Sequence, residues 1–217
     1  MYYLKAAAVF GGVTFLATSA QAASVMPTSY DTVDGGTGSY TYWDDSYPGN
    51  PEWSSYNPLS GGTGDLTDGI VATTNWYDAE QPSGPGPYVG WDLPSVQIAF
   101  HFDANYLFNT LTLYFDDSDG QGGVYQPSMV SVNGVDYAVP DNPGAAPFAF
   151  SANLGGLAAD RLDVTIFGDG PWIFLSEAAF DADAVADPGA KVPLPASMWL
   201  LSAAIGGLGF ARNRRRS

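Results

Sequence analysis

Twenty-three carboxylates, a single histidine and no cysteine set the chemistry open to this chain of 217 residues. Without cysteine there is no thiolate nucleophile, no disulfide and no Cys-ligated zinc. With His101 as the one imidazole, multi-histidine metal sites are excluded, and a Ser-His-Asp triad would have to pass through that residue. Oxygen chemistry remains. Carboxylates can hold a hard cation such as calcium, or work as a pair in glycoside hydrolysis. The run Asp116-Asp117-Ser118-Asp119-Gly120 has the composition of half a calcium loop. It lacks the regular D-x-D-x-D-G spacing and a glutamate at the twelfth position, so it reads as a solvated turn. No G-x-S-x-G, H-E-x-x-H or phosphate-binding loop occurs. A non-catalytic role is therefore expected, and a glycan-active hydrolase is the less favoured alternative.

The second chemical resource is aromatic: 6 Trp, 13 Tyr and 12 Phe. Exposed rings can stack on the C–H faces of sugars, and the same rings can equally fill a core. Trp91, Trp172, Phe174, Phe100 and Phe102 fall in strand-like patterns and are expected to be buried. Trp43, Trp53, Tyr56, Trp76, Tyr77 and Tyr125 fall in or beside loops and are the candidates for a ligand platform. His101 faces away from the Phe100/Phe102 side, onto the surface or a second packed face.

The elements that must position these residues are short strands. Val96, Ile98, Phe100 and Phe102 alternate with Gln97, Ala99 and His101; Leu111, Leu113 and Phe115 form another apolar face. Val130 and Val132 lead into Asn133-Gly134, a hairpin signal, and Val135, Tyr137 and Val139 leave it. Leu162, Val164 and Ile166 make a further strand, and Trp172 to Phe180 a last, largely apolar one. Tyr40 to Trp43 reads as an early strand and Tyr47 to Gly64, rich in proline and glycine, as a long surface loop. No helical periodicity is sustained. The fold class expected is all-β, an antiparallel β-sandwich of jelly-roll type.

Charge is segregated along the chain. Between Ala23 and Val192 there are 23 acidic and two basic side chains, a net of −21. Such a surface repels phosphate backbones, so nucleic acid is not an expected partner. At the front, Lys5, an apolar run from Ala6 to Ala17 and the small residues Ala20 and Ala22 read as a signal peptide over residues 1–22, cut by signal peptidase after Ala22. At the back, an acidic linker over residues 183–191 leads to Val192-Pro193-Leu194-Pro195-Ala196. An apolar run from Met198 to Ala211 and the basic end Arg212 to Arg216 follow. The run is short for a permanent transmembrane helix but sufficient to halt translocation, with the arginines held on the cytoplasmic side.

That C-terminal segment, residues 192–217, resembles the PEP-CTERM class of bacterial sorting signals in its VPLPA form. The resemblance implies transient anchoring in the inner membrane and processing by an exosortase-type enzyme. The product would then reside at the cell surface or in an exopolysaccharide matrix.

A second resemblance spans residues 61–182. Leu66-Thr67-Asp68-Gly69, Tyr88-Val89-Gly90-Trp91, Val96 to Phe102, Gly123 to Val130 and Trp172-Ile173-Phe174-Leu175-Ser176-Glu177 occur in one order. This series is similar to discoidin-like (F5/8 type C) domains of the galactose-binding-like superfamily, and residues 23–60 are expected to join the same sandwich. The resemblance implies a non-catalytic carbohydrate-binding module, with Tyr125 on the ligand-facing loop. It also implies a structural calcium held by Asp68, Thr74 and Glu177, with carbonyls near Asp65 and Ser176; loop length leaves Thr73 as an alternative to Thr74. The function expected is calcium-stabilised recognition of an acid-poor glycan or exopolysaccharide. The alternative is an acidic matrix protein with no specific ligand.

Overall fold

The computed structural model describes residues 23–48, 54–80 and 85–185. The expected cleavage residues Ala20 and Ala22, the candidate Trp53 and the sorting motif Val192, Pro193, Leu194, Pro195 and Ala196 lie outside them. Among the described residues no helix is long and apolar enough to cross a membrane.

In chain order the strands are β1 (Ala23–Val25), β2 (Ser29–Val33), β3 (Pro58–Gly62), β4 (Val89–Trp91), β5 (Ser95–Phe115), β6 (Pro127–Val132), β7 (Val135–Ala138), β8 (Phe148–Gly168) and β9 (Ile173–Ala184). Among the described residues one short α-helix, α1 (Trp76–Ala79), lies between β3 and β4. All strand pairs are antiparallel. The protein is thus all-β, as its alternating apolar pattern predicts.

Two strands of 21 residues, β5 and β8, organise both layers. Ser95 to His101 pair with Phe167 to Arg161, and Tyr106 to Phe115 pair with Ala159 to Phe148. The register shifts between these halves, which is where a long pair can bend from one layer into the other. The first half is flanked by β2 and β3 on one side and by β6 and β7 on the other. The second half pairs with β9, whose outer edge carries β1 and β4. Rings of the first half meet a ring of β9 edge to face: Phe100 and Phe102 lie 4.9 and 5.1 Å from Phe180. Val96, Ile98, Leu111, Leu113, Phe115, Leu162, Val164 and Ile166 fill the space between. Each such side chain contributes about 1.5–3 kcal/mol of transfer free energy.

The inward parity of β5 changes once. Phe102 and Phe108 keep one phase, and Leu111, Leu113 and Phe115 the other, because a second register shift falls between Phe108 and Thr110. Two sequence segments that read as separate strands are therefore one strand with irregularities. At the β6–β7 hairpin, Asn133 (φ 49°) and Gly134 (φ 79°) supply the two left-handed residues of the tight turn.

Two expectations are corrected. Tyr40 to Trp43 does not form a strand. Its residues are held by isolated backbone bonds, Tyr42 N–H to Gly36 carbonyl at 3.0 Å and Gly90 N–H to Tyr42 carbonyl at 3.0 Å, which turn the Tyr42 ring inward. The stretch from Tyr47 to Gly64 is not only surface loop. Tyr47 and Leu59 are buried, and β3 pairs with β2, with Pro58 in its first position.

Candidate ligand-binding site

A second apolar cluster, separate from the sandwich core, gathers at the start of β4 and β9: Tyr42, Trp76, Tyr88, Val124 and Phe174, with Tyr40, Tyr77 and Trp172 packed on it. Its rings are arranged edge-to-face and offset. Tyr42 lies 4.7 Å from Phe174, 5.2 Å from Trp172 and 6.0 Å from Trp76; Phe174 lies 5.7 Å from Trp172 and 6.0 Å from Trp76. Between them is a pocket of about 190 Å³ lined by these four rings and by Gly38, Ser39, Gly122 and Val124. Sites for drug-sized ligands run to about 300–1,000 Å³, so this one suits a single ring-sized group.

Glycine lets the backbone approach these rings. A Cβ on Gly90 would stand 2.5 Å from the Phe174 ring, so that ring can cross β4 only because position 90 has no side chain. Beside the pocket, a Cβ on Gly36 would lie 2.5 Å from the Tyr56 hydroxyl, 3.2 Å from Asp92 Oδ1 and 3.2 Å from the Trp172 ring. One small volume is therefore bordered by an aromatic edge, a hydroxyl and an exposed carboxylate.

Of the residues expected to form the platform, Trp76 lines the pocket. Tyr77 stands against Trp76 at 5.8 Å, half-buried. The Tyr56 hydroxyl reaches Gly36 on the Trp172 side. Tyr125 is exposed, next to the pocket residue Val124, with its ring over Gly120 and Gly170. Trp172, expected in the core, is half-buried and forms a pocket wall. It precedes β9, and its N–H bonds the Gly123 carbonyl at 3.1 Å, outside the alternation that buries Ile173 and Leu175. Tyr42, read as part of an early strand, and Asp92 were not expected here. His101 is half-buried and does not line the pocket; its Nε2 lies 2.8 Å from Asp31. Asp31 also accepts Ser60 Oγ–H and Gly61 N–H, and these bonds hold its carboxyl below the usual range despite partial burial.

Buried carboxylates hold the loops around the pocket. The run Asp116 to Ser118 is not solvated: all three residues are buried. The Asn75 side-chain amide donates to Asp116 Oδ1 at 2.8 Å, to the Asp117 carbonyl at 2.9 Å and to Ser118 Oγ at 3.1 Å. Asn142 Nδ2 reaches Asp117 at 3.1 Å. A composition that suggests a surface turn is buried here because amide donors replace water. Burial pushes Asp116 up to about 6. Glu80, at the end of α1, accepts the Tyr88 N–H at 3.1 Å, and burial pushes it up to about 8.

A second network joins Asp34, Asp44 and Asp65. Asp34 Oδ1 accepts the N–H groups of Gly35 and Asp44, each at 2.8 Å. Asp44 accepts the Asp65 N–H at 2.8 Å and the Tyr30 hydroxyl. Asp65 accepts the Asp45 N–H at 2.9 Å and the Ser46 hydroxyl. Burial, then the neighbouring Asp65 charge, raise Asp44 to about 7 and Asp45 to about 6. Burial also raises Asp65.

The expected calcium ligands divide between these places. Glu177 is buried, accepts the Gly69 N–H at 2.9 Å, and is pushed up to about 7 by burial, with the Asp68 charge adding to the shift. Asp68 Oδ1 accepts the Ile70 N–H at 2.7 Å. Ser176 Oγ accepts the Ala72 N–H and donates to the Tyr114 carbonyl. The Thr74 carbonyl accepts the Tyr88 hydroxyl, and the Asp65 carboxylate accepts the Asp45 N–H and the Ser46 hydroxyl. Among the described residues, no three or more His, Cys, Asp or Glu side chains gather as a metal cage. Glu177 and Asp68, close enough for their charges to interact, offer oxygen donors of the kind a hard cation takes.

No family model and no curated protein matches the sequence. Among solved structures the chain is similar to CBM32-2 of a GH31 protein, in an X-ray structure bound to GalNAc. The identity is 16% over 70% of this chain and 97% of that one, with a TM-score of 0.34. A superposition that loose carries neither a ligand nor a residue role to this chain.

Proposed function

We propose that this is an exported surface or matrix protein whose β-sandwich is a non-catalytic carbohydrate-binding module. The observation that carries the reading is the aromatic pocket of about 190 Å³ formed by Tyr42, Trp76, Trp172 and Phe174. Rings offer a sugar its C–H contacts, and the Tyr56 and Ser39 hydroxyls and the Asp92 carboxylate offer partners to its hydroxyl groups. The loop bearing Gly122, Val124 and Tyr125 is the one that the discoidin-like resemblance places at the ligand end. Calcium bound beside Glu177 and Asp68 would neutralise two carboxylates and fasten the Asp68–Ala72 loop to β9. Signal peptidase would remove residues 1–22, and an exosortase-type enzyme would process the chain near Val192 to Ala196 after transient inner-membrane anchoring.

Purified protein screened on a glycan array with and without calcium tests the reading. Binding that is lost in Trp172→Ala is the expected result. Silence across the array refutes it and favours an acidic matrix protein. That alternative draws on the overall charge of −16 and predicts calcium-dependent self-association in light scattering. Mass spectrometry of the protein from its native cell tests the sorting: termini at Ala23 and near Ala196 are expected, and an untrimmed chain refutes processing.

A further inference from the structure

The pocket rings stand in a strongly acidic surface. The described residues carry 21 Asp or Glu side chains and a single Lys or Arg, Arg161. Arg161 lines a different groove, with Asp31, Ser60 and Gln97, and is already paired with Asp163 at 2.6 Å. No cation lines the aromatic pocket. On the Trp172 side stand the Tyr56 hydroxyl and the exposed Asp92 carboxylate: from one point beside Gly36 the hydroxyl lies 2.5 Å away, and Asp92 Oδ1 and the Trp172 ring 3.2 Å each. The Trp172 indole, three further rings and a free-standing carboxylate form the environment that an ammonium group prefers, since ring faces and carboxylate both attract positive charge. A carboxylated or sulfated ligand would meet repulsion from Asp92 and from the acidic surface around the pocket.

We propose that the group entering this pocket is positively charged: an amino sugar with a free ammonium group, as part of a glycan. The assignment rests on the carbohydrate-binding reading and names its ligand class. The ring stacks within the aromatic walls, its ammonium lies between Trp172 and Asp92, and its hydroxyl groups meet Tyr56 and Ser39. A lysine side chain offers the same charge but no ring for the walls and no hydroxyls for those two partners.

Short glucosamine oligomers, their fully N-acetylated counterparts, neutral oligosaccharides of the same length and oligolysine are the probes, read by calorimetry at low and high sodium chloride. Free-amine oligomers are expected to bind about tenfold or more tighter than N-acetylated ones, and to weaken as salt rises. Asp92→Asn, a surface change that leaves the fold in place, is expected to remove most of that preference, weakening the free-amine oligomers far more than the N-acetylated ones. Asp160→Asn is the control. Asp160 follows Ala159, which pairs with Tyr106 opposite Ala184, at the far end of β9 from Trp172, and it is expected to change nothing. Equal or tighter binding of the N-acetylated or neutral sugars overturns the charge assignment and leaves the carbohydrate reading standing. Absence of binding to every sugar overturns the carbohydrate reading itself. Binding of oligolysine equal to that of glucosamine, or free-amine binding that survives Trp172→Ala and falls equally with Asp160→Asn, shows general charge attraction and refutes the pocket.

Discussion

Replacing Asp44 with asparagine isolates one carboxyl of the buried Asp34–Asp44–Asp65 network. Asp44 is fully buried and accepts the Asp65 N–H and the Tyr30 hydroxyl. Its pKa rises from 3.8 to about 7, through burial first and the Asp65 charge second. Between those values the folded state holds the proton and the unfolded chain does not. Stability therefore falls as pH rises across that window and levels off above it. At about 1.4 kcal/mol per pH unit, this carboxyl accounts for about 4 kcal/mol between pH 4 and pH 8. Asparagine cannot titrate. Its Oδ1 still accepts the Asp65 N–H, and the disturbed bond to Tyr30 adds a cost independent of pH. The stability difference between Asp44→Asn and the parent should therefore move by about 4 kcal/mol in the variant's favour from pH 4 to pH 8, or about 10 °C in melting temperature. Urea unfolding with a chelator present, followed by tryptophan fluorescence, measures it. Neighbours that titrate in both proteins, such as Asp31, largely cancel in the difference. Parallel pH profiles for the two proteins would refute the reasoning, as would a parent protein that grows more stable from pH 4 to pH 8.

Three further outcomes follow from the site. Calcium added to chelator-treated protein should raise its melting temperature, more at pH 8 than at pH 6, because the metal competes with a proton on Glu177, which sits near 7; Glu177→Gln should lose the response, and no shift in the parent rejects the metal. Phe174→Ala removes a buried ring that touches Tyr42, Trp76, Tyr88 and Trp172, and should cost about 3–5 kcal/mol of stability together with the near-ultraviolet circular dichroism of the cluster. Asn75→Ala leaves Asp116, the Asp117 carbonyl and Ser118 without their amide donor and should cost about 1–3 kcal/mol. That loss should be larger at pH 8 than at pH 5, since the amide stabilises the charged Asp116; equal losses at both would show that Asp116 is not the group affected.

The sandwich was legible where burial imposes a period. Val96, Ile98 and Phe100 had to face inward, Leu162, Val164 and Ile166 likewise, and Asn133-Gly134 could only be a tight turn. The site was legible only in part because nothing periodic builds it. Trp76, Tyr77, Tyr56 and Tyr125 were candidates by their loop setting, and they do collect around or beside the pocket. Tyr42 looked like part of a strand and Trp172 like core. Each takes its place through isolated backbone bonds to glycines, Tyr42 through Gly36 and Gly90, Trp172 through Gly123. The acidic run at Asp116 misled for a related reason. Composition reports how well a segment tolerates water, and cannot report that Asn75, 41 residues away, replaces that water.

The pocket and the buried acids are mechanically one system. Trp76, a pocket wall, is the first residue of α1. The residue before it, Asn75, grips Asp116, Asp117 and Ser118, and the residue after the helix, Glu80, receives the Tyr88 N–H. A four-residue helix has no stability of its own. Its placement therefore depends on those side-chain anchors, two of which, Asp116 and Glu80, are carboxyls raised to about 6 and about 8 by burial. Around neutral pH these groups lie near the point where they gain or lose charge, so the loops that present Trp76 are held by bonds whose strength changes there. A hydrophobic sandwich fixes the strands, and the weaker, charge-sensitive anchors are left where the proposed ligand would enter.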